Sequence, residues 1–146
     1  MHASCAALNG EGVLLLGPPG AAKSDLVLRL MGRGWDLVAD DQVDITETGG
    51  ALMAAPPKPL AGMLEVHGIG IVKSLPYRAP VRLCLVVTLL SPGDRPRRLP
   101  EPLFFTSFSV RLQHLAMAGQ EASAPEKLAL ALDLATGRAS LAAGAF

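Results

Sequence analysis

The 146-residue sequence has few aromatic side chains, few cysteines and no excess of charge of either sign. Aromatic residues make up 4% of the chain and hydrophobic residues 50%, so we expect a core of Leu, Val, Ala and Ile. The 13 basic and 13 acidic residues cancel, which argues against nucleic-acid binding through a basic face. Abundant aliphatic side chains with only 18% charged residues argue against disorder.

The sequence predicts no disulfide framework, no membrane span and no signal peptide. Cys5 and Cys84 are far apart and form no CxxC pair, a spacing typical of reduced thiols in a core. The longest apolar run, residues 83–90, is far shorter than the roughly 20 residues of a spanning helix. No basic region precedes an apolar run at the start of the sequence. We therefore expect a cytoplasmic protein with no membrane partner.

The apolar runs that are present predict one α/β domain. A Gly-rich hairpin joins two predicted strands, and an amphipathic helix follows and ends before Gly34. Three prolines make the segment 56–59 irregular in this prediction. The predicted strands are 4–8, 13–16, 37–39, 81–90 and 110–115, with a second hairpin within 44–53, a loop at 91–102 and helices at 23–33 and 125–135. The domain is placed at residues 1–138, and the tail 139–146 is predicted to be flexible.

The most informative segment is Gly17-Pro18-Pro19-Gly20-Ala21-Ala22-Lys23-Ser24. It follows an aliphatic strand and begins a helix, which is the context of a phosphate-binding loop. In such a loop the backbone N–H groups surround phosphate, the lysine contacts the outer phosphates and the hydroxyl binds magnesium. These eight residues are the candidate nucleotide-binding residues, and the alternative is a plain strand-to-helix turn. Ala22 departs from the pattern G-x-x-x-x-G-K-[ST], because its methyl group stands where glycine lets backbone approach phosphate.

A pair of acids, Asp40 and Asp41, follows a short predicted strand. Sites in open α/β sheets lie at this edge of the sheet. One carboxylate is suited to holding magnesium, and the other to accepting a proton from an incoming hydroxyl. Two adjacent acids need a nearby cation or metal if both stay ionised. The alternative is a solvated strand end, but the lysine loop favours a catalytic pair.

These segments together resemble the C-terminal catalytic domain of HPr kinase/phosphorylase. The resemblance runs from Gly12 to Val43 and continues in Leu64-Glu65-Val66-His67-Gly68-Ile69-Gly70-Ile71, which is similar to the family's second signature, L-E-[IV]-R-G-[ILV]-G. It is weaker through Arg98-Leu99-Pro100 and the helix after Pro125. The sequence is most similar to a short form without the family's N-terminal domain. The resemblance implies a single P-loop kinase domain of the HPr kinase/PEP carboxykinase type, with a mixed β-sheet and flanking helices.

The resemblance also implies an activity and partners. Members of the family use ATP and a divalent ion, here Mg²⁺, to phosphorylate a serine of HPr, a small carrier protein of the bacterial phosphotransferase system. They reverse the modification by phosphorolysis, so phosphate and pyrophosphate are further candidate ligands. They assemble as hexamers, so the resemblance implies a homo-oligomer.

Site residues are transferred from the family position by position. Asp41 takes the role of base in the kinase direction and of acid in reverse, with Asp40 beside it. The order of these two roles stays open. His2 is assigned a place against the pair, although a histidine after the first methionine is alternatively a free terminus. Ser24, Glu65 and Asp40 are the implied metal ligands.

Some positions depart from the family or are open to a second interpretation. His67 stands where the family generally has arginine, and so replaces a permanent cation with an imidazole side chain. Glu126 stands near another of the family's arginines. Arg98 is a candidate contact to the transferred phosphate, or alternatively part of a solvated loop. Ala22 and His67 motivate one rival function, a catalytically weakened nucleotide-sensing or partner-binding module of the same fold. A second rival function is a P-loop kinase that acts on a small molecule.

Overall fold

Ten β-strands and two α-helices form the structure, a computed structural model that describes residues 1–146. The helices are α1 (Lys23–Met31) and α2 (Ala124–Ala135), and Lys58–Leu60 is a short 3-10 helix. The strands are β1 (Ser4–Leu8), β2 (Glu11–Leu16), β3 (Asp36–Ala39), β4 (Asp44–Thr48), β5 (Ala51–Ala55), β6 (Leu64–Val66), β7 (Gly70–Val72), β8 (Val81–Leu89), β9 (Leu103–Ser107) and β10 (Val110–Met117).

Eight of these strands form one mixed sheet in the order β3-β1-β2-β8-β10-β9, with β5 joined to β8 and β4 to β5. The pairs β2–β8 and β8–β10 are parallel, whereas β1 is antiparallel to both β2 and β3. The strands β2, β3 and β8 therefore end at the same edge. Because ligands of α/β sheets bind outside the carboxyl ends of strands, this edge is where a site is expected. The mixed sheet with flanking helices confirms the predicted fold class.

Apolar side chains cover both faces of the sheet. A cluster of 18 buried residues joins the helices to one face, with Leu26 and Leu128 packed among strand residues such as Leu15. A second cluster of 12 buried residues lies between the other face and the β4–β5 hairpin. Each fully buried leucine contributes about 1.5–3 kcal/mol to folding. The core consists of Leu, Val and Ala as expected, but the prediction for Ile was wrong, since no isoleucine is buried.

Most predicted elements are confirmed, with three corrections. The helix predicted at 23–33 ends at Met31, because Gly32 and the following turn cap it. The strands β6, β7 and β9 were not predicted. The 3-10 helix Lys58–Leu60 overlaps the segment 56–59, which was expected to be irregular. The strand β9 contains Leu103 and Phe104 side chains that are about half exposed, so it lacks the alternation of a half-buried strand.

Both cysteines are free thiols. Cys5 is completely buried, and Cys84 is half-buried. Burial raises the pKa of both thiols. Neither helix is long and apolar enough to cross a bilayer.

The tail 139–146 contains no helix or strand. Ala145 is buried, and Phe146 packs against the larger apolar cluster. The flexibility of this tail and the boundary at residue 138 stay predictions.

Candidate functional site

The loop 17–22 joins β2 to α1 at the edge of the sheet where the parallel strands end. Gly17 has φ +145°, and a Cβ at this position would lie 2.6 Å from the carbonyl oxygen of Leu89. Ala21 is fully buried beneath the loop. Glycine at position 17 therefore allows the loop to press against β8, and this contact fixes how the loop enters the helix.

Ala22 stands immediately before α1 in the left-handed conformation, with φ 73° and ψ 34°. This conformation costs an L-residue about 1–2 kcal/mol, whereas glycine adopts it readily. Alanine in place of the motif's glycine therefore strains the backbone, and its methyl group also stands where the backbone would approach phosphate.

The amides at the start of α1 have no protein partner. The first hydrogen bond of the helix runs from the N–H of Leu26 to the carbonyl of Ala22 at 2.9 Å, and the N–H groups of residues 22–25 donate to no acceptor. Unpaired N–H groups and the positive end of the helix dipole favour an anion at this position.

The side chain of Lys23 lies over the same loop. Its Nζ donates hydrogen bonds to the carbonyl oxygens of Gly17 at 2.6 Å and Pro18 at 3.2 Å. An anion bound to the free amides would lie close to this ammonium group. The loop thus provides both kinds of donor that a phosphate group needs.

A cleft of about 770 Å³ opens in front of the loop. Only three of its 14 lining residues are hydrophobic, so it is suited to a polar or charged ligand. On one side lie the loop and the start of α1, and on the other side lie His2, Asp41, Glu65 and His67. The structure therefore brings together most of the residues that the sequence singled out.

Asp40 is buried beside this cleft and has its oxygens occupied. It accepts hydrogen bonds from Ser4 Oγ at 2.7 Å, from Ser24 Oγ at 2.8 and 2.9 Å, and from the N–H of Glu65 at 3.1 Å. Only 6% of the residue is exposed. Asp40 therefore joins β1, α1 and β6 and fixes where Ser24 and Glu65 lie.

Asp41 differs from Asp40 in its exposure and in its hydrogen-bond partners, and both matter for proton transfer. Its side chain is 68% exposed, and an oxygen of its carboxylate lies 3.4 Å from Nδ1 of His2. The backbone of Asp41 has φ 69°, and His2 is bridged to Gln42 beside it. The turn therefore directs the Asp41 carboxylate into the cleft, where an incoming hydroxyl can reach it.

The residues at this site fit a magnesium ion bound together with phosphates. Ser24 Oγ lines the cleft and is a hard oxygen donor of the kind that Mg²⁺ takes, and the Glu65 side chain lines the same cleft. Asp40 lies behind this hydroxyl and holds it in place through hydrogen bonds. No group of three or more His, Cys, Asp or Glu side chains forms a cage for a metal. Mg²⁺ does not require such a cage, since it is usually bound by one or two carboxylates, waters and substrate phosphates.

Two residues that the sequence singled out lie elsewhere. Arg98 does not line the cleft but a second cavity, formed by the loop 91–102, α2 and the tail. This position does not support a contact between Arg98 and the transferred phosphate, so that contact stays a prediction. Glu126 lies on the surface of α2, with Oε1 at 3.5 Å from Arg33.

A turn between β10 and α2 supports the loop from the second half of the chain. Gln120 lines the cleft and donates from Nε2 to the carbonyl of Gly20 at 3.3 Å. The Arg29 guanidinium donates to the carbonyls of Gly119 and Glu121 and so holds this turn on α1. These contacts could not be predicted from the sequence, because they join positions about 90 to 100 residues apart and no motif marks them.

Replacing Ala22 with glycine is expected to raise the free energy of unfolding by about 0.5–1 kcal/mol, because glycine relieves the left-handed strain. The matched control, Ala21→Gly, should lower it by about 1 kcal/mol, since a buried methyl group is lost. Urea unfolding measures both changes. Opposite signs at adjacent alanines would support the loop geometry, whereas a loss of stability in Ala22→Gly would contradict it.

Comparison with known proteins identifies the family. The family model described as the HPr Serine kinase C-terminal domain matches residues 1–76. The HPr kinase/phosphorylase of Clostridium botulinum (strain Eklund 17B / Type B) is 44% identical over 72 residues, which are 49% of this chain and 24% of that protein. That of Exiguobacterium sibiricum is 44% identical over 73 residues, with the same shares of the two chains. The aligned segment thus covers 24% of the length of these curated relatives.

The second half of the chain is matched by fold. The solved structure of the Hpr(Ser) kinase/phosphatase from Coxiella burnetii aligns with a TM-score of 0.75 and 22% identity, over 94% of this chain and 88% of that chain. The fold therefore extends through β8, β9, β10 and α2. Since the family model matches 76 of the 146 residues, including the phosphate loop, the acid pair and the β6–β7 hairpin, the chain belongs to the family of HPr serine kinase C-terminal domains.

Proposed function

We propose that this chain is an ATP- and Mg²⁺-dependent serine kinase, and also a phosphorylase, that acts on an HPr-like carrier protein. The observation that carries the proposal is the exposed carboxylate of Asp41, which shares one cleft with Lys23, Ser24 and the free amides of the loop. Phosphoryl transfer requires this combination of a phosphate cradle, a site for the metal and a carboxylate that can accept a proton.

The nucleotide would be held by the start of α1. The N–H groups of residues 22–25 and Lys23 Nζ would donate to its phosphates, and Ser24 Oγ, held by Asp40, would face the metal. Bound ATP supplies the phosphoryl group, and Mg²⁺ offsets the charge of the phosphates. Asp40 also orients Ser24, because both its oxygens accept the hydrogen bond from that hydroxyl.

Proton transfer would fall to Asp41. In the kinase direction its carboxylate accepts the proton of the serine hydroxyl as that oxygen bonds to the phosphoryl group. In the phosphorolysis direction the same group returns the proton to the serine oxygen. Asp40 is less suited to this role, since it is buried and already accepts hydrogen bonds from three residues. The geometry thus favours Asp41 as the base and Asp40 as a positioning group.

A protein substrate is favoured over a small molecule by the β6–β7 hairpin. Ile69 is 80% exposed and Ile71 is 69% exposed, and the register pairs Ile71 with Glu65, which lines the cleft. Opposite residues of an antiparallel pair project from the same face. An apolar side chain therefore lies beside the polar cleft, and a protein carrying the serine could cover it.

Self-association is the last part of the proposal. Phe104 and Phe108 are 47% and 62% exposed on the hairpin formed by β9 and β10, and β9 is an edge strand of the sheet. Exposed apolar side chains at an unpaired edge strand often form interfaces between protein chains. We propose that a homo-oligomer, a hexamer by resemblance to the family, uses this hairpin.

Thermal unfolding with and without MgATP tests the nucleotide site. At a concentration 100 times Kd, binding should add about 2.7 kcal/mol of stability, or roughly 5–10 °C in Tm for a domain of this size. The shift should disappear in Lys23→Ala, because the loop then loses its ammonium group. It should persist in the matched control Lys58→Ala, whose exposed side chain lies outside the cleft.

The test has a clear negative outcome. No shift with MgATP, MgADP or magnesium pyrophosphate in the folded protein would contradict nucleotide binding. A shift that survives in Lys23→Ala would contradict the site. A shift followed by phosphate transfer to the serine of HPr, and not to small hydroxyl metabolites, would support the proposed substrate.

A catalytically weakened nucleotide sensor is the second candidate function. Three observations favour it: the left-handed Ala22, the exposed His67 in place of an arginine, and the position of Arg98 outside the cleft. Such a module would show the MgATP-dependent shift in Tm without measurable transfer to HPr. A large gain of transfer in Ala22→Gly would indicate that the loop limits catalysis.

A further inference from the structure

A second cavity lies apart from the candidate site. Its volume is about 360 Å³, and it is an open depression lined by the loop 91–102, the end of β10, α2 and the tail 139–146. No residue lines both this cavity and the cleft. Twelve of its 19 lining residues are hydrophobic, among them Leu115, Met117, Leu134 and Phe146. A volume of this size is in the range of small-molecule sites.

The two cavities are suited to different ligands. The cleft has three hydrophobic residues among 14, whereas hydrophobic side chains form most of the second cavity. Most of the charged surface of a triphosphate would face apolar walls there, and its desolvation against them is costly. The walls of the second cavity therefore favour a molecule with an apolar body.

Two unpaired cations stand at this cavity. Arg97 and Arg98 both line it, and neither forms an ion pair with any carboxylate or a hydrogen bond with any protein acceptor. Lys127 also lines it, but this ammonium group is paired with Glu121. The hydrogen bond from Lys127 lowers the pKa of Glu121, so the carboxylate stays charged and compensates the lysine. Both arginines are exposed, so their guanidinium groups are solvated and free to bind an anion at the opening of the cavity.

We propose that this cavity binds a small molecule with an apolar body and one anionic head group, which Arg97 and Arg98 would hold. A guanidinium group presents two parallel N–H donors and so binds carboxylate and phosphate oxygens in the same geometry. Burying the apolar body against leucine, methionine and phenylalanine side chains supplies the rest of the affinity. Carboxylate and phosphate share this chemistry, and the experiment distinguishes them.

Titration calorimetry tests the proposal with four probes of known structure: octanoate, octyl phosphate, octanol and acetate. Octanoate or octyl phosphate should bind at one saturable site, and the stronger of the two identifies the head group. Octanol lacks the charge and acetate lacks the apolar body, so each should bind about tenfold more weakly or not at all. Equal binding of octanol and both anions would overturn the proposal, and so would the failure of both anions to bind.

Variants locate the binding site. Arg97→Gln and Arg98→Gln should each weaken binding of the preferred anion by about tenfold, since each loses a charged hydrogen bond. Arg82→Gln is the control, because Arg82 is an exposed arginine on β8 that does not line this cavity, and binding should be unchanged. Ala143→Phe should abolish binding by filling the cavity from an exposed position. Unchanged affinity in both Arg97→Gln and Arg98→Gln, with the fold confirmed by circular dichroism, would overturn the proposal.

The inference does not depend on the proposed kinase activity. Octanoate binding should be retained in Lys23→Ala, whose changed side chain lies in the other cavity. Loss of anion binding in Lys23→Ala would place the anion at the phosphate loop and overturn the assignment.

Discussion

Replacing Asp41 with asparagine is expected to lower the rate of phosphate transfer to HPr by about 10²–10⁴, the usual contribution of a general base. Asparagine has nearly the same shape but cannot accept the proton of the serine hydroxyl. The free energy of unfolding of the Asp41→Asn variant should be close to that of the unchanged protein. The side chain of Asp41 is 68% exposed, and asparagine tolerates the observed φ of 69°. Single-turnover transfer from labelled ATP measures the rate.

Two further measurements make this result specific. MgATP should still raise the Tm of Asp41→Asn, since Asp41 does not contact the loop amides. Asp44→Asn is the matched control, because Asp44 is exposed at the start of β4 and lies outside the cleft, so its transfer rate should be unchanged. Transfer by Asp41→Asn at the unchanged rate would exclude Asp41 as the base.

The phosphate loop and the acid pair were predictable because short, local sequence patterns specify them. The loop 17–24, the helix after it and the strand before Asp40 are each specified within a few residues, and parallel strands bring their ends to one edge of a sheet. The resemblance to the family carried the prediction to His2 and Glu65, and the structure places both in the cleft with Asp41.

The remainder of the site depends on contacts between distant positions. The hydrogen bond from Gln120 to the carbonyl of Gly20 spans 100 residues, and the turn around Gly119 packs so closely that a Cβ would lie 2.9 Å from the carbonyl oxygen of Ala21. No pattern of residue types encodes such a pairing. Its only trace in the sequence is a glycine, which also occurs at ordinary turns.

The β6–β7 hairpin and β9 were missed for a different reason. Strands are predicted from an alternation that reflects one buried face. Leu64 of β6 is buried and Val66 packs against the larger cluster, but β6 has three residues and its alternation is too short to be recognised, while Ile69 and Ile71 are exposed. In β9 the neighbouring Leu103 and Phe104 are both exposed, so no buried face marks this strand.

The different environments of Asp40 and Asp41 could not be predicted from two identical neighbours in sequence. The left-handed backbone of Asp41 turns the chain, so that one carboxylate points inward and the other outward. The inner carboxylate then acquires partners from three elements, whereas the outer one contacts only His2. The division of roles that we propose for the two acids rests on this difference in environment.

Replacing Asp40 with alanine is expected to lower the free energy of unfolding by about 2–4 kcal/mol, because the hydroxyls of Ser4 and Ser24 and the N–H of Glu65 lose their shared acceptor. An unsatisfied buried donor costs about 1–3 kcal/mol, and the hydroxyls recover part of this by rotating to other acceptors. Urea unfolding at neutral pH measures the change.

The control and the second readout separate stability from function. Asp41→Asn should leave the free energy of unfolding nearly unchanged, since its carboxylate is exposed. Asp40→Asn should be intermediate: its carbonyl oxygen can still accept from the serines, but its NH₂ group then faces the N–H of Glu65. Because Ser24 would lose its orientation, the MgATP-dependent rise in Tm should also shrink in Asp40→Ala. If Asp40→Ala were as stable as the unchanged protein, the cost of burying the carboxylate would equal its hydrogen bonds, and Asp40 would be retained for the metal alone.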